Sequence, residues 1–339
     1  TRMPDNDGED FDMITTTYRE AIQQALADEM AADPSVVLLG EDIGHAGGPF
    51  KVTEGLYERF GPSRLLDTPI AETGILGCAV GMAITGMRPV AEIMFSDFLM
   101  VCTDQLVNNA AKYRYMSGGQ TSVPMVVRTS CGGGIRFGAQ HSQVGETWFL
   151  QFPGLKIFAP SNPHDAYHMM RAAIRDDNPV VFFEHKAMYA RKGELDKSAG
   201  PAEVGRARVC REGTDLTIVA TLMMVGRALE AAERLEQEGI SAEVVDLRYL
   251  RPLDIQSVIK SVSKTHNLLT VEENHALGGW GAEVIAGTVE AAMDELDSAP
   301  QRITLPDAPL PFSPVLEDAA IPSVDAIVAK ARSLLGGQA

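Results

Sequence analysis

Short apolar runs alternate with segments of helical spacing along this chain, and the alternation begins twice. In the first half, Val36–Gly40 (VVLLG) and residues 90–95, 125–129, 155–159 and 180–183 read as strands. Helical spacing fills 18–30, 73–86, 99–116 and 164–175. Several of these runs are apolar throughout, as strands buried on both faces require. The pattern therefore predicts a mostly parallel sheet with helices on both sides. Periodicity weakens over 186–213 and resumes at Leu216–Ala220 (LTIVA). From there the spacing predicts helix 227–238 closed by Gly239, strand Ala242–Asp246, helix 254–262, strand 268–271 and helix 282–296. A strand from Ile303 and a helix 323–335 capped by its first Ser complete the unit. The expectation is an α/β protein of two domains, 14–185 and 214–339, joined by a linker 186–213 and preceded by a flexible segment 1–13.

Three residues carry the most chemical information. Glu72, in DTPIAETG (67–74), stands between an apolar run and the small-residue helix ILGCAVGMAITG. A lone carboxylate among apolar neighbours is costly to bury as an anion. Burial would raise its pKa and leave an acid able to donate a proton near neutral pH. The plainer alternative is a carboxylate at a helix N-terminus, stabilised by the dipole and solvent. Phe98 follows strand 90–95 at the predicted sheet mouth, where open α/β sheets bind ligands. It can stack on a planar ring or simply pack in the core. His141, in GAQHSQ, follows the glycines at 132–134, which permit irregular backbone close to a ligand. There it can shuttle protons or serve as a hydrogen-bonded structural group.

DTPIAETG, GMRPVAEIMFSDF, YRYMSGG, GAQHSQ, NPVVFFEHK and PFSPVLED occur in this order. Together they resemble the beta subunit of the two-chain, thiamine-dependent 2-oxo acid dehydrogenases, from about residue 14 to the end. The resemblance implies a pyrimidine-binding α/β domain followed by a transketolase C-terminal-like domain. It implies that Glu72 protonates the aminopyrimidine of thiamine diphosphate, that Phe98 packs on that ring, and that His141 assists acyl transfer to a lipoyl group. RAAIRDDNPV (171–180) resembles the family's structural cation loop. Carbonyls of Ala173, Ile174 and Met125, with Asp176 and Asn178, would surround potassium. Family partners would be an alpha subunit, in a heterotetramer of two alpha and two beta chains, and a lipoyl acyltransferase core. The substrate would be a small 2-oxo acid, with pyruvate favoured and branched-chain 2-oxo acids or acetoin open; the MSGG and EHK variants lean towards the pyruvate and acetoin branches.

Thiamine diphosphate also needs a divalent metal, which thiamine enzymes hold with a GDG motif. No GDG occurs in this chain. Half a site is therefore expected here, with magnesium and the diphosphate pocket on the alpha subunit. A single-chain transketolase-like enzyme and a non-catalytic scaffold subunit are the alternative readings. The net charge of −17 argues against nucleic acid and against anionic membranes. Arg88, Pro89 and Glu92 break the most apolar stretch, 75–95, which is too interrupted to span a bilayer. Cys78, Cys102, Cys131 and Cys210 lack CxxC spacing and read as reduced thiols. The acidic start shows no targeting pattern, so bacterial cytoplasm is expected, with the mitochondrial matrix as the alternative. GGGIRFG does not match GxGxxG, so no dinucleotide loop is expected. His164 and His168 share a helix face but lack HExxH context and a third zinc ligand. His275, in EENHALGGWG, receives no role.

Overall fold

The computed structural model describes residues 13–336. Of the segment expected to be flexible, 1–12 lie outside the described residues and Met13 opens the first strand. The first half runs β1 (Met13–Thr17), α1 (Tyr18–Ala32), β2 (Val36–Gly40), α2 (Leu56–Phe60), β3 (Leu65–Asp67), α3 (Glu72–Ile84) and β4 (Arg88–Phe95). It continues with α4 (Ala111–Met116), β5 (Val126–Cys131), β6 (Lys156–Phe158), α5 (Pro163–Arg175) and β7 (Val180–His185). Then come β8 (Lys192–Asp196), β9 (Arg208–Arg211), β10 (Leu216–Ala220), α6 (Leu222–Glu236), β11 (Ala242–Asp246) and β12 (Tyr249–Arg251). The chain ends with α7 (Ile255–Thr265), β13 (Leu268–His275), α8 (Trp280–Ala292), β14 (Gln301–Leu305), α9 (Pro314–Ala320) and α10 (Val324–Gly336).

The first sheet has seven strands in the order β12-β6-β7-β5-β4-β2-β3, all parallel except β12. The second has five, β14-β13-β10-β11-β9, parallel except β9. Side chains alternate faces along each strand. In the first sheet Leu38, Val90, Val126, Val180 and Phe182 face α1 and α5. Leu39, Ala91, Ile93, Val127, Val181 and Phe183 face α3 and the second unit. That second core is shared, because Val219, Val245, Leu247 and Trp280 enter it from the far side. The outer face of the second sheet packs on α6 and α10 through Ile218, Val244, Leu235 and Ile327.

Residues 186–213 hold two short strands: β8 pairs with β1, and β9 with β11. β12 leaves the second half to join the first sheet beside β6. The helix expected over 99–116 divides into a 3-10 turn (Ser96–Met100), a π-helical stretch (Gln105–Ala110) and α4. Asn108 and Asn109 donate to Asp104, and such local side-chain bonds compete with regular winding. Two helix starts are capped by their side chains as their residue types favour. Ser323 Oγ accepts from Ala326 N, and Asn162 caps α5 ahead of Pro163. Among the described residues no helix is long and apolar enough to cross a membrane.

Candidate functional site

The carboxyl ends of β2, β3, β4, β5 and β7 lie along one edge of the first sheet, and the expected residues follow them in the chain. Glu72 opens α3 as its first residue, five positions after β3 ends. It is half-buried, and its carboxylate makes no hydrogen bond among the described residues. The carboxylates of Glu41, Asp42 and Asp67 lie close by; burial, followed by repulsion from Asp42, Glu72 and Asp67, pushes the Glu41 pKa up. Thr73 Oγ1 donates to Val101 O at 3.2 Å and ties the start of α3 to the Phe98 segment. Around it Ile70, Met100 and Val101 are exposed apolar side chains, Ile70 at 74%.

Phe98 and His141 come together. Their rings meet edge to face with centroids 5.3 Å apart, and Phe95 lies 4.8 Å from the imidazole and 5.6 Å from Phe98. Phe137 and Phe50 extend this group, at 5.7 and 5.9 Å from Phe95. The loop carrying His141 is fixed by Gln143, whose Nε2 donates to Asp97 Oδ1 at 2.8 Å and whose carbonyl accepts from Ser96 Oγ at 2.6 Å. Loop and Phe98 turn are thus held as one unit.

Charged clusters beneath this edge and at the junction of the two halves received no role from the sequence. Arg128 on β5 donates to both oxygens of Glu184 on β7 at 2.8 and 2.7 Å, and pairs with Glu92 on β4. Tyr189 OH closes the network on Glu184 at 2.8 Å. Burial raises the Glu92 pKa despite the guanidinium beside it. At the junction of the two halves, His185 Nε2 meets Glu273 Oε2 at 2.9 Å, and Glu273 Oε1 accepts from Gly133 N at 2.6 Å. Glu317 accepts from Gly134 N at 2.9 Å and pairs with Arg136. Glycine is required at 132, where φ is +84° and a Cβ would overlap the His185 ring. The glycines noted for ligand approach thus also let the second half approach the first. Glu146 is buried there, with Asn274 Nδ2 donating to its Oε1 at 2.8 Å and Oε2 unpartnered. Burial pushes its pKa up to about 8, and Glu272, buried nearby, rises to about 7 for the same reason. Sequence offers a faint signal for these groups in EHK and EEN, but not their contact.

The residues expected around potassium do gather. Their oxygens are engaged by the protein itself. Arg88 Nη1 donates to the carbonyls of Ile174 and Asp176 at 3.1 Å each. Lys156 pairs with Asp176 Oδ2, while Asn178 N donates to Oδ1 at 2.9 Å. Met125 O accepts from Val180 N at 3.0 Å, Ala173 O from Asp176 N at 3.3 Å, and Asn178 Oδ1 from Arg114 at 2.7 Å. Three cationic side chains, Arg88, Lys156 and Arg114, already lie on this oxygen set, so it fits a further cation poorly. Elsewhere, His168 Nε2 lies 2.7 Å from Asp196 O and burial lowers the pKa of both His168 and His164. His275 Nδ1 lies 2.7 Å from Pro306 O. Among the described residues no group of three or more His, Cys, Asp and Glu could hold a metal. Cys78, Cys102, Cys131 and Cys210 are free, and burial raises the thiol pKa of Cys102, Cys131 and Cys210.

Known proteins share this architecture. Residues 15–192 match the family model for the transketolase pyrimidine binding domain, and 205–327 match the transketolase C-terminal domain. The chain is 46% identical over 320 residues to the pyruvate dehydrogenase E1 component subunit beta-2, mitochondrial, of Oryza sativa, covering 93% of this chain and 85% of that one. It is 45% identical to the acetoin:2,6-dichlorophenolindophenol oxidoreductase subunit beta of Cupriavidus necator, covering 94% and 96%. It is 44% identical to the 2-oxoisovalerate dehydrogenase subunit beta of Bacillus subtilis, covering 95% and 99%. A solved structure described as a split gene transketolase, inactive beta4 tetramer, superposes with a TM-score of 0.78 at 26% identity, covering 94% of this chain and 98% of that one.

Proposed function

Because the chain belongs to the E1 beta subunits of the thiamine-dependent 2-oxo acid dehydrogenases, we propose that it forms the pyrimidine-side half of their decarboxylating site. The carrying observation is Glu72. It stands unpartnered at the sheet's carboxyl edge, half-exposed, beside the exposed apolar Ile70, Met100 and Val101. An apolar rim of this kind marks a surface that a partner covers. An alpha subunit seated there would bury Glu72, raise its pKa and bring magnesium and the diphosphate pocket. Two alpha and two beta chains would make the smallest active unit. The relative described as an inactive beta4 tetramer supports the need for a partner.

Thiamine diphosphate, when bound, supplies the nucleophilic carbon on which a 2-oxo acid loses carbon dioxide. This chain's residues serve that chemistry by position. Glu72, once buried, holds a proton toward the aminopyrimidine nitrogen. Phe98 presents a ring face to the same group. His141, braced against Phe95 and Phe98, moves a proton as the acyl unit passes to a lipoyl group on the acyltransferase core. The aromatic group around His141 would limit the access of water to that side chain.

Pyruvate is the proposed substrate. Acetoin and 2-oxoisovalerate relatives lie at nearly the same identity, so those substrates are measured alongside it. Relatives occur in bacteria and mitochondria; bacterial cytoplasm is the simpler proposal and the mitochondrial matrix the alternative. A potassium ion is left outside the proposal because Arg88 and Lys156 occupy its oxygens. Calorimetry tests the half-site: thiamine diphosphate with magnesium should bind tightly only when the cognate alpha subunit is present. Tight binding by this chain alone would overturn the reading in favour of a single-chain transketolase-like enzyme.

A further inference from the structure

Lys186 follows β7 and is 3% exposed, yet its ammonium forms no ion pair among the described residues. Its Nζ donates to the backbone carbonyl of His141 at 2.7 Å. It also lies over two rings, 5.4 Å from the Phe95 centroid and 6.0 Å from that of Phe137. A desolvated ammonium is costly, and ring faces offset only part of the cost. A methionine would fill the same slot with no charge to bury. Burial lowers the Lys186 pKa, and the carboxylates of Asp97, Glu273 and Glu317 oppose that.

The backbone it holds has little else at that point. His141 N reaches Gly138 O only at 3.5 Å, and the next firm anchors are at Gln143, two residues on. Glycine at 138, with φ +72°, lets the chain turn there without resisting movement. Phe95 lies against both partners, its centroid 4.8 Å from that of the imidazole and 5.4 Å from the ammonium.

We propose that Lys186 is a positioning residue. Its ammonium clamps the carbonyl of His141 and so holds the imidazole against Phe95 and Phe98, in the pose used for acyl transfer. The catalytic consequence rests on the role given to His141 above; the clamp itself does not.

The test uses the complex with the cognate alpha subunit, carrying Lys186→Met or Lys186→Arg. Hydrogen exchange of the amides in 138–144 reads the clamp directly. Turnover is measured with a lipoyl domain and separately with 2,6-dichlorophenolindophenol as electron acceptor. For Lys186→Met, exchange in 138–144 should rise, and lipoyl-dependent kcat should fall about 10- to 100-fold from the misplaced group. The KM for the 2-oxo acid and the dye-dependent rate should hold, and Lys186→Arg should restore part of the loss. Combined with His141→Ala, Lys186→Met should cost nothing further. Unchanged exchange overturns the clamp, as does an equal fall of both rates. If His141→Ala alone leaves the lipoyl-dependent rate intact, the role of His141 fails, while exchange still decides Lys186. Should Lys186→Met fail to assemble, Lys186→Gln carries the same exchange measurement: faster exchange supports the clamp and unchanged exchange overturns it.

Discussion

Replacing Glu146 by Gln should change how stability depends on pH, in a direction the structure dictates. The carboxyl is buried at the junction of the two halves, with one oxygen on Asn274 and the other unpartnered. Its pKa rises from 4.5 to about 8, first through burial and then through repulsion from Glu272 and Glu273. Raised in the folded state, such a group stabilises the fold fully below its unfolded pKa. That stability is lost as pH climbs from the unfolded value to the folded one. Between pH 5.5 and 8 the native protein keeps a proton that the unfolded chain has released. The resulting loss is about 3 kcal/mol, and it levels off above pH 8. Gln keeps the shape and the acceptor for Asn274 but does not titrate. Stability of Glu146→Gln relative to wild type should therefore improve by about 3 kcal/mol across that window, several degrees in Tm. Calorimetric scans of both proteins at half-unit pH steps measure it. Glu272 titrates nearby in both and is coupled to Glu146 by their repulsion, so the difference reads position 146 together with its effect on Glu272. A difference that stays constant with pH would refute the reasoning and mean that Glu146 is hydrated and ionised throughout.

Three further outcomes follow from other contacts. Glu72→Gln in the assembled complex should cut decarboxylation by about 10²- to 10⁴-fold while calorimetry still shows thiamine diphosphate binding; full activity would return the chain to the scaffold reading. Glu184→Gln removes the carboxylate that accepts two bonds from Arg128 and one from Tyr189. With the guanidinium left under-compensated, denaturant unfolding should show a loss of about 3–5 kcal/mol, and a change under 1 kcal/mol would contradict a dry network. Gly132→Ala places a Cβ into the His185 ring at a positive φ and breaks the bond to Glu273. It should cost about 1–3 kcal/mol in the same assay, and a neutral result would mean the junction yields there.

What the sequence disclosed depended on whether the signal was local. Runs such as VVLLG and LTIVA are buried along their whole length in parallel sheets, and that burial forces the apolar composition that betrays them. Helix 99–116 misled although its signal is local: its apolar spacing is sound, but spacing does not register the Asp104–Asn108–Asn109 bonds that accompany the change of winding. Phe98 and His141 were legible as residues, and their packing on Phe95 explains why both follow strands at one sheet edge. The ion network was not legible. Arg128, Glu92 and Glu184 interrupt strands as single charges, and only the register of β4, β5 and β7 lines them up. The same holds for Glu146, Glu273 and Glu317, separated by up to 171 positions, 317 − 146, and joined by the close approach that Gly132 and Gly133 allow.

Burial separates the two kinds of carboxylate in this chain. Glu146 and Glu272 are enclosed by this chain's own two halves, and their pKa values rise with no partner present. Glu72 is half-buried at an edge beside the exposed apolar Ile70, Met100 and Val101, and the proposed function has a partner enclose it. A fold that can bury acids so thoroughly at its internal junction, yet leaves the one at the sheet mouth half-open, is built as a surface to be completed. On the role proposed for Glu72, decarboxylation and alpha-subunit affinity should fall together when Ile70, Met100 or Val101 is made charged. Titrating alpha subunit into Val101→Glu while recording thiamine diphosphate binding tests this. Full affinity with normal cofactor binding would show that the covered surface lies elsewhere.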